Sequence, residues 1–169
     1  MYQDFDREMI DTISRASDES LEPCPYRVPK PWTTGPTRGE RNRNPGNIER
    51  DGSLWQGLST DCSFEDKFCV FTDVFYGVRA LANVLLAYQR VDGLKTLREI
   101  INRWAMPKDT YTASSASVFA SRVGCGPDAD FDLEHPMMLS AVVRAIIQHE
   151  NGRVMCRHVI TDAVRLALA

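Results

Sequence analysis

Arg38-Gly39-Glu40-Arg41-Asn42-Arg43-Asn44-Pro45-Gly46-Asn47-Ile48-Glu49-Arg50 is the stretch on which the fold turns. It holds four Arg, three Asn, two Glu, two Gly and one Pro around a single Ile, so it supplies almost no core. Pro45-Gly46 reads as a turn, with Asn42 and Asn44 before it and Asn47 after it. Asn side chains bond neighbouring backbone and tolerate left-handed conformations, so one reading is a self-capped surface turn leading into a strand. The other is a rigid polar floor whose amides meet a hydroxyl-rich ligand. The residues by themselves leave both open. Arg38, Arg41, Arg43 and Arg50 make the stretch locally basic, suited either to solvent or to an anionic polymer.

Outward from this loop, the chain is an ordinary globule. At 169 residues, 43% apolar and 25% charged, it is expected to form one compact domain with a real core. A net charge of −3 gives no general attraction for nucleic acid or acidic lipid, so neither is an expected partner. The first residues are acidic and lack an apolar signal region, and no apolar run approaches membrane-spanning length. The expectation is a protein without signal peptide or membrane insertion, made in the cytoplasm. Cys24, Cys62, Cys69, Cys125 and Cys156 are scattered, without the close pairs of a zinc site. Inert buried thiols and up to two disulfides both fit. Cys62 and Cys69 stand where a hairpin would bring them face to face.

Taken in order, residues 4–16 carry Phe5, Met9, Ile10 and Ile13 at helical spacing, and a Pro-rich segment follows to residue 37, with Tyr26 and Trp32 expected to pin it down. This N-terminal unit, 1–37, should pack on a body formed by 38–169. Residues 54–58 and 68–71 read as two short strands of a small β-hairpin, joined by the polar run 59–67. Helices are expected over 74–90, then from the Thr96/Glu99 capping box to just before Pro107, over 112–123, from Pro136 to about 150, and over 157–168. The fold class is therefore α+β, mostly helical.

Chemistry points to the end of the helix expected from Pro136 to about 150. Glu150 lies three and four residues after Ile147 and Ile146 and seven after Val143, which puts its carboxylate on the apolar face. It also sits in the last turn, where the helix dipole disfavours a negative charge, before the capping pair Asn151-Gly152. Both effects should raise its pKa, the condition for a general acid in glycoside cleavage. The structural alternative is a Glu whose stem merely carries its charge to solvent.

A family resemblance is carried by several motifs in register. The Arg38 to Ile48 run, Trp55-Gln56-Gly57, Tyr76-Gly77-Val78-Arg79-Ala80-Leu81, Ile100-Ile101-Asn102-Arg103-Trp104-Ala105, Asp109-Thr110 and Ala145 to Gly152 together resemble a family of phage-encoded lytic and virion-associated proteins. That family is related to the muralytic enzyme of an enveloped RNA phage. The resemblance runs from about Arg38 to the C-terminus and implies a lysozyme-like single domain acting on peptidoglycan, as endolysins do, after release or injection into the periplasm or cell wall. Two departures stand out: Arg43 where the family often has a third Asn, and Pro107-Lys108 where it usually has an acid and Asn.

The helix-ending Glu150 also resembles that of lysozyme-superfamily chitinases and transglycosylases. In those enzymes the Glu precedes the β-hairpin, whereas here the hairpin comes first. Glu40, which lies before it, is therefore the reserve candidate. The resemblance thus implies a glycosidase, muramidase or lytic transglycosylase, with Glu150 as acid and Asn42, Asn44, Asn47 and Trp55 holding N-acetylated sugars. No metal or cofactor is expected. Glu40, Glu49 or Asp51 would supply a base, or the substrate's acetamido group would assist. The alternatives are an endopeptidase of the peptide cross-links and a non-catalytic virion or wall-binding protein. An immunity protein joins peptidoglycan as a partner if the chain is a secreted effector.

Overall fold

The Asn-rich stretch opens on a capping box. Thr37 Oγ1 accepts from the Glu40 amide at 3.2 Å while Glu40 Oε2 accepts from the Thr37 amide at 2.7 Å, and the short helix α1, Arg38–Arg41, forms on it. The computed structural model describes residues 36–105, 113–153 and 155–169. The helix and Pro-rich segment expected before residue 36, with Cys24, Tyr26 and Trp32, lie outside the described residues, as do Pro107-Lys108 and Asp109-Thr110.

Five further helices follow α1. They are α2, Val74–Arg90; α3, Leu97–Ala105; α4, Ala113–Val123; α5, Pro136–Asn151; and α6, Arg157–Leu168. Their starts and stops follow local chemistry. Asp73 caps α2 by accepting from the Phe75 amide at 2.8 Å. Thr96 and Glu99 form the expected capping box ahead of α3, at 3.3 and 3.0 Å. Pro136 occupies the first turn of α5, where a missing N–H costs nothing, and Gly152 closes that helix in the left-handed conformation at φ 68°.

The core explains the order of the elements. Helix α5 packs against α1, α2, α4 and α6, and its buried residues include Leu139, Val142, Val143, Ile146 and Ile147. Helix α2 buries Val78, Leu81, Ala82 and Leu85, as its spacing predicts, and makes the most extensive helix pairing of the domain with α6. Phe71, Phe119, Ile100 and Ile101 lie in the core with at most 1% of their surface exposed. None of the described helices is long and apolar enough to cross a membrane.

The expected hairpin is present only as far as the antiparallel bridge Leu58–Phe71, which pairs 54–58 with 68–71. Among the described residues the backbone makes only isolated antiparallel bridges, Glu49 with Phe68, Leu58 with Phe71 and Thr96 with Asp130. Segment 67–72 runs between two partners rather than pairing with 54–58 alone. On one side the Cys69 amide donates to Ile48 at 2.9 Å and the Arg50 amide to Lys67 at 2.9 Å. On the other, Ser59 donates to Val70 at 2.8 Å and Thr72 to Gly57 at 2.8 Å. A one-residue contact on each flank is too short to propagate a ladder. Cys62 and Cys69 are free thiols, as are Cys125 and Cys156. Burial pushes the Cys69 and Cys125 thiols up, away from the reactive thiolate.

The Asn-rich loop is locked onto α2 through Gly77. A Cβ there would run into the carbonyl oxygen of Arg43, and it would meet Pro45 Cδ at 3.0 Å. Neither a backbone carbonyl nor a proline ring can swing aside. Gly77→Ala is therefore expected to destabilise the fold by about 2–3 kcal/mol, the upper part of the usual overpacking cost. Gly126→Ala, whose nearest new contact is Ala129 Cβ at 3.7 Å, should stay within about 0.5 kcal/mol of wild type, as neutral surface substitutions do. Urea unfolding of the two variants checks both numbers.

Candidate active site

The loop owes its shape to a buried carboxylate. Glu65 is only 4% exposed. Arg38 grips it with Nε and Nη2, both at 2.8 Å, Asn42 Nδ2 donates at 2.8 Å, and the amides of Lys67 and Phe68 donate at 3.0 and 3.1 Å. Arg38 also lies over the Phe68 ring at 4.5 Å. The Arg38 guanidinium, more than any other neighbour, holds the Glu65 carboxyl well below the usual carboxylate range; Asn42 and the two amides act in the same direction against desolvation.

Asn42 and Asn44, expected to hold sugars, are instead structural. They are 1% and 0% exposed. Asn42 is spent on Glu65. Asn44 Oδ1 accepts from the Ile48 amide at 2.9 Å, and its Nδ2 donates to Ile48 and Cys69 carbonyls, each at 2.9 Å. An amide with no exposed surface meets no ligand, so the self-capped-turn reading applies to these two. The arginines are committed too. Beyond Arg38, the side chains of Arg41, Arg43 and Arg50 donate to the carbonyls of Pro36, Phe71 and Phe68.

Asn47 differs. Its backbone is left-handed at φ 50°, its side chain is half-buried, and Nδ2 donates to Glu150 Oε2 at 2.8 Å across 103 residues of sequence. The next residue on α5 fastens the same two elements. Asn151 Nδ2 donates to Pro45 and Ile147 carbonyls at 2.8 and 2.9 Å, and its Oδ1 accepts from Thr37 Oγ1 at 2.7 Å. Gly39 permits this approach, since a Cβ there would sit 2.6 Å from Asn151 Oδ1, 2.9 Å from the Asn44 carbonyl and 3.2 Å from Asn47 Oδ1. The loop and the end of α5 thus form one polar junction with Glu150 at its half-buried edge.

The reserve candidate Glu40 sits in the same neighbourhood with a different task. Besides capping α1 it accepts from Arg153 Nη1 at 3.3 Å. Trp55 is partly buried against the core, and its indole N–H is buried without a partner among the described residues. Any ligand contact of Trp55 therefore runs through its ring. Among the acids considered as bases, Glu49 pairs with Lys67 at 3.0 Å and Asp51 accepts from the Ser53 amide at 2.9 Å.

No family model matches this chain. Protein P5 of Pseudoalteromonas phage PM2 is 33% identical to it over 121 residues, covering 68% of this chain and 71% of that protein. The chain belongs to the P5 family. That name carries a number and no activity, so it ties the chain to a phage protein and leaves the chemistry to its residues. Two residues of the junction between loop and α5 escaped sequence reasoning. Glu65 sits in a polar run beside Asp61 and Asp66, and nothing local sets it apart. Asn151 reads as a helix cap, whereas its amide is the bracket between helix and loop.

Glu65 makes the stability of this P5-family protein pH-dependent with a definite sign. Its folded-state pKa lies below the unfolded value of about 4.5, so its contribution is complete above that pH and is lost as pH falls toward the folded value. At pH 7, Glu65→Gln should cost about 3 kcal/mol, the low end for breaking a buried pair, because Arg38 stays half exposed. Urea unfolding between about pH 5 and pH 3 should show a shallower loss of stability for the variant than for wild type. Parallel slopes would remove Glu65 as the acid-sensitive lock.

Proposed function

We propose that this P5-family protein cleaves the glycan strand of bacterial peptidoglycan, with Glu150 as the general acid. The observation that carries the reading is the bond from Asn47 to Glu150, because it gives the two most distinctive motifs of the sequence a shared purpose. The loop spends its other asparagines and its Arg38 on holding itself rigid, and it presents one amide, from a left-handed residue, to one carboxylate. A general acid must be held in a fixed orientation at a surface that substrate can reach. Glu150 is half-buried at the end of a helix packed on four others, which meets both demands.

In this reading Glu150 protonates the glycosidic oxygen as the bond to the sugar breaks. Asn47 orients the carboxyl through Oε2, and the Trp55 ring offers a stacking surface for a pyranose. The oxocarbenium-like centre that develops needs a nucleophile. Glu40, Glu49 and Asp51 are each engaged by a cation or backbone amide, which favours participation by the substrate's own acetamido oxygen over a second protein carboxylate. That route leads to an anhydro-sugar when the sugar's own C6 hydroxyl displaces the acetamido oxygen from C1 and gives its proton to the Glu150 carboxylate, or to a reducing end when water attacks C1 instead.

Glu150→Gln separates this role from a structural one. Gln keeps the shape and can still bond Asn47 but has no proton to give. Turnover on purified peptidoglycan should fall by about 10²-fold or more, the scale of losing acid–base assistance, with little change in melting temperature. Glu40→Gln should instead lose about 1 kcal/mol of stability, from a weaker capping box and ion pair, and keep most of its rate. The reverse pattern would transfer the acid to Glu40.

A further inference from the structure

A cavity of about 340 Å³ opens where the end of α4, one face of α5 and the first turns of α6 meet. Val123, Met137 and Ile160 give it an apolar floor, and Arg122, Arg144 and Arg157 surround that floor with guanidiniums. No Asp or Glu lines it. Elsewhere the described arginines have oxygen partners: carboxylates for Arg38, Arg90, Arg98, Arg103, Arg153 and Arg165, and carbonyl or amide oxygens for Arg41, Arg43, Arg50 and Arg79. Among the described residues Arg122 and Arg144 have none. In a chain of net charge −3, two cations left beside an apolar floor make a local positive field that no carboxylate of the groove's lining neutralises. The first turn of α6 adds to it, since the N-cap Cys156 makes no side-chain bond to the helix amides.

This lining specifies its ligand's chemistry. Two guanidiniums without an acid partner, Arg122 and Arg144, call for more than one anionic oxygen, and guanidinium matches carboxylate geometry. The floor calls for small apolar groups between those anions, and the volume is that of a small-ligand pocket. We propose that the groove binds the peptide stem of the cell wall, a short chain of carboxylates and alanine methyls, as an anchoring site separate from the cutting site. This rests on the peptidoglycan reading above. Gln148 lines the groove two residues before Glu150, and two residues turn a helix by about 200°. Groove and acid therefore face opposite sides of α5, and the stem held belongs to a strand other than the one being cut. Such a site keeps the enzyme on an insoluble mesh between cleavages.

The test uses the full chain carrying Glu150→Gln and, as probe, the tetrapeptide L-Ala-γ-D-Glu-meso-diaminopimelyl-D-Ala, titrated calorimetrically. Saturable one-to-one binding is expected, weakened by about tenfold or more in Arg144→Ala, the scale of a lost charge-assisted bond. Absent binding, or equal binding by the variant, would overturn the proposal, as would binding of dodecyl phosphate in place of the peptide. With Glu150 intact, Arg144→Ala should slow solubilisation of whole sacculi by about fivefold or more while cutting peptide-free glycan at the wild-type rate, since a site remote from the acid affects only substrate retention. Equal loss on both substrates would overturn the anchoring role. The calorimetric arm needs no catalysis, so a failure of the Glu150 reading and a failure of the groove are told apart.

Discussion

A carboxylate that is 4% exposed must be paired, and the pairing of Glu65 with Arg38 and Asn42 is the constraint on which the loop depends. Those two residues are thereby fixed to segment 65–68, while Asn44 ties the same loop to Ile48 and Cys69. The result is a stretch that, beyond the single turn of α1, has no regular secondary structure and is nonetheless bonded at most of its polar groups. Its rigidity is what allows Asn47 to hold a left-handed backbone and direct one N–H at Glu150. Gly39 and Gly77 are the two places where the loop comes too close to its surroundings for any side chain.

Most of the helical scaffold was legible in the sequence because each boundary had a local cause. The stripe Val78, Leu81, Ala82, Leu85, the Thr96/Glu99 box, Pro136 and the Asn151-Gly152 ending all do what their chemistry predicts. The expected hairpin shrinks to a single bridge, Leu58–Phe71, for a reason that is equally physical. The apolar residues of 54–58 and 68–71 mark segments that pack on the core, but they do not say which segment pairs with which. Segment 67–72 divides its bonds between 48–50 and 57–59, and neither flank grows into a strand.

The site was legible in part. Glu150 stands out in the sequence by its place on an apolar face at a helix end, and it is half-buried there beside Asn47. The asparagines could not be sorted by sequence, since Asn42, Asn44 and Asn47 are chemically identical and differ only in what surrounds them. Burial decides it: the first two serve the loop and the third faces the carboxylate. Glu40 and Glu150, rivals in sequence because one precedes segment 54–71 and the other follows it, prove to be neighbours. Thr37 bonds both Glu40 and Asn151, and Arg153 closes back onto Glu40. The fold thus brings the two acids to one junction and gives one of them a cap and an ion pair.

The central claim is that the bond broken is glycosidic. Mass spectrometry of purified peptidoglycan digested by the wild-type protein addresses it directly, because each chemistry leaves its own end group. The account predicts muropeptides ending in anhydro-sugar or reducing sugar, with the peptide cross-links intact. New free amines from cut cross-links with the glycan strands unbroken, or no soluble product at all, would contradict it.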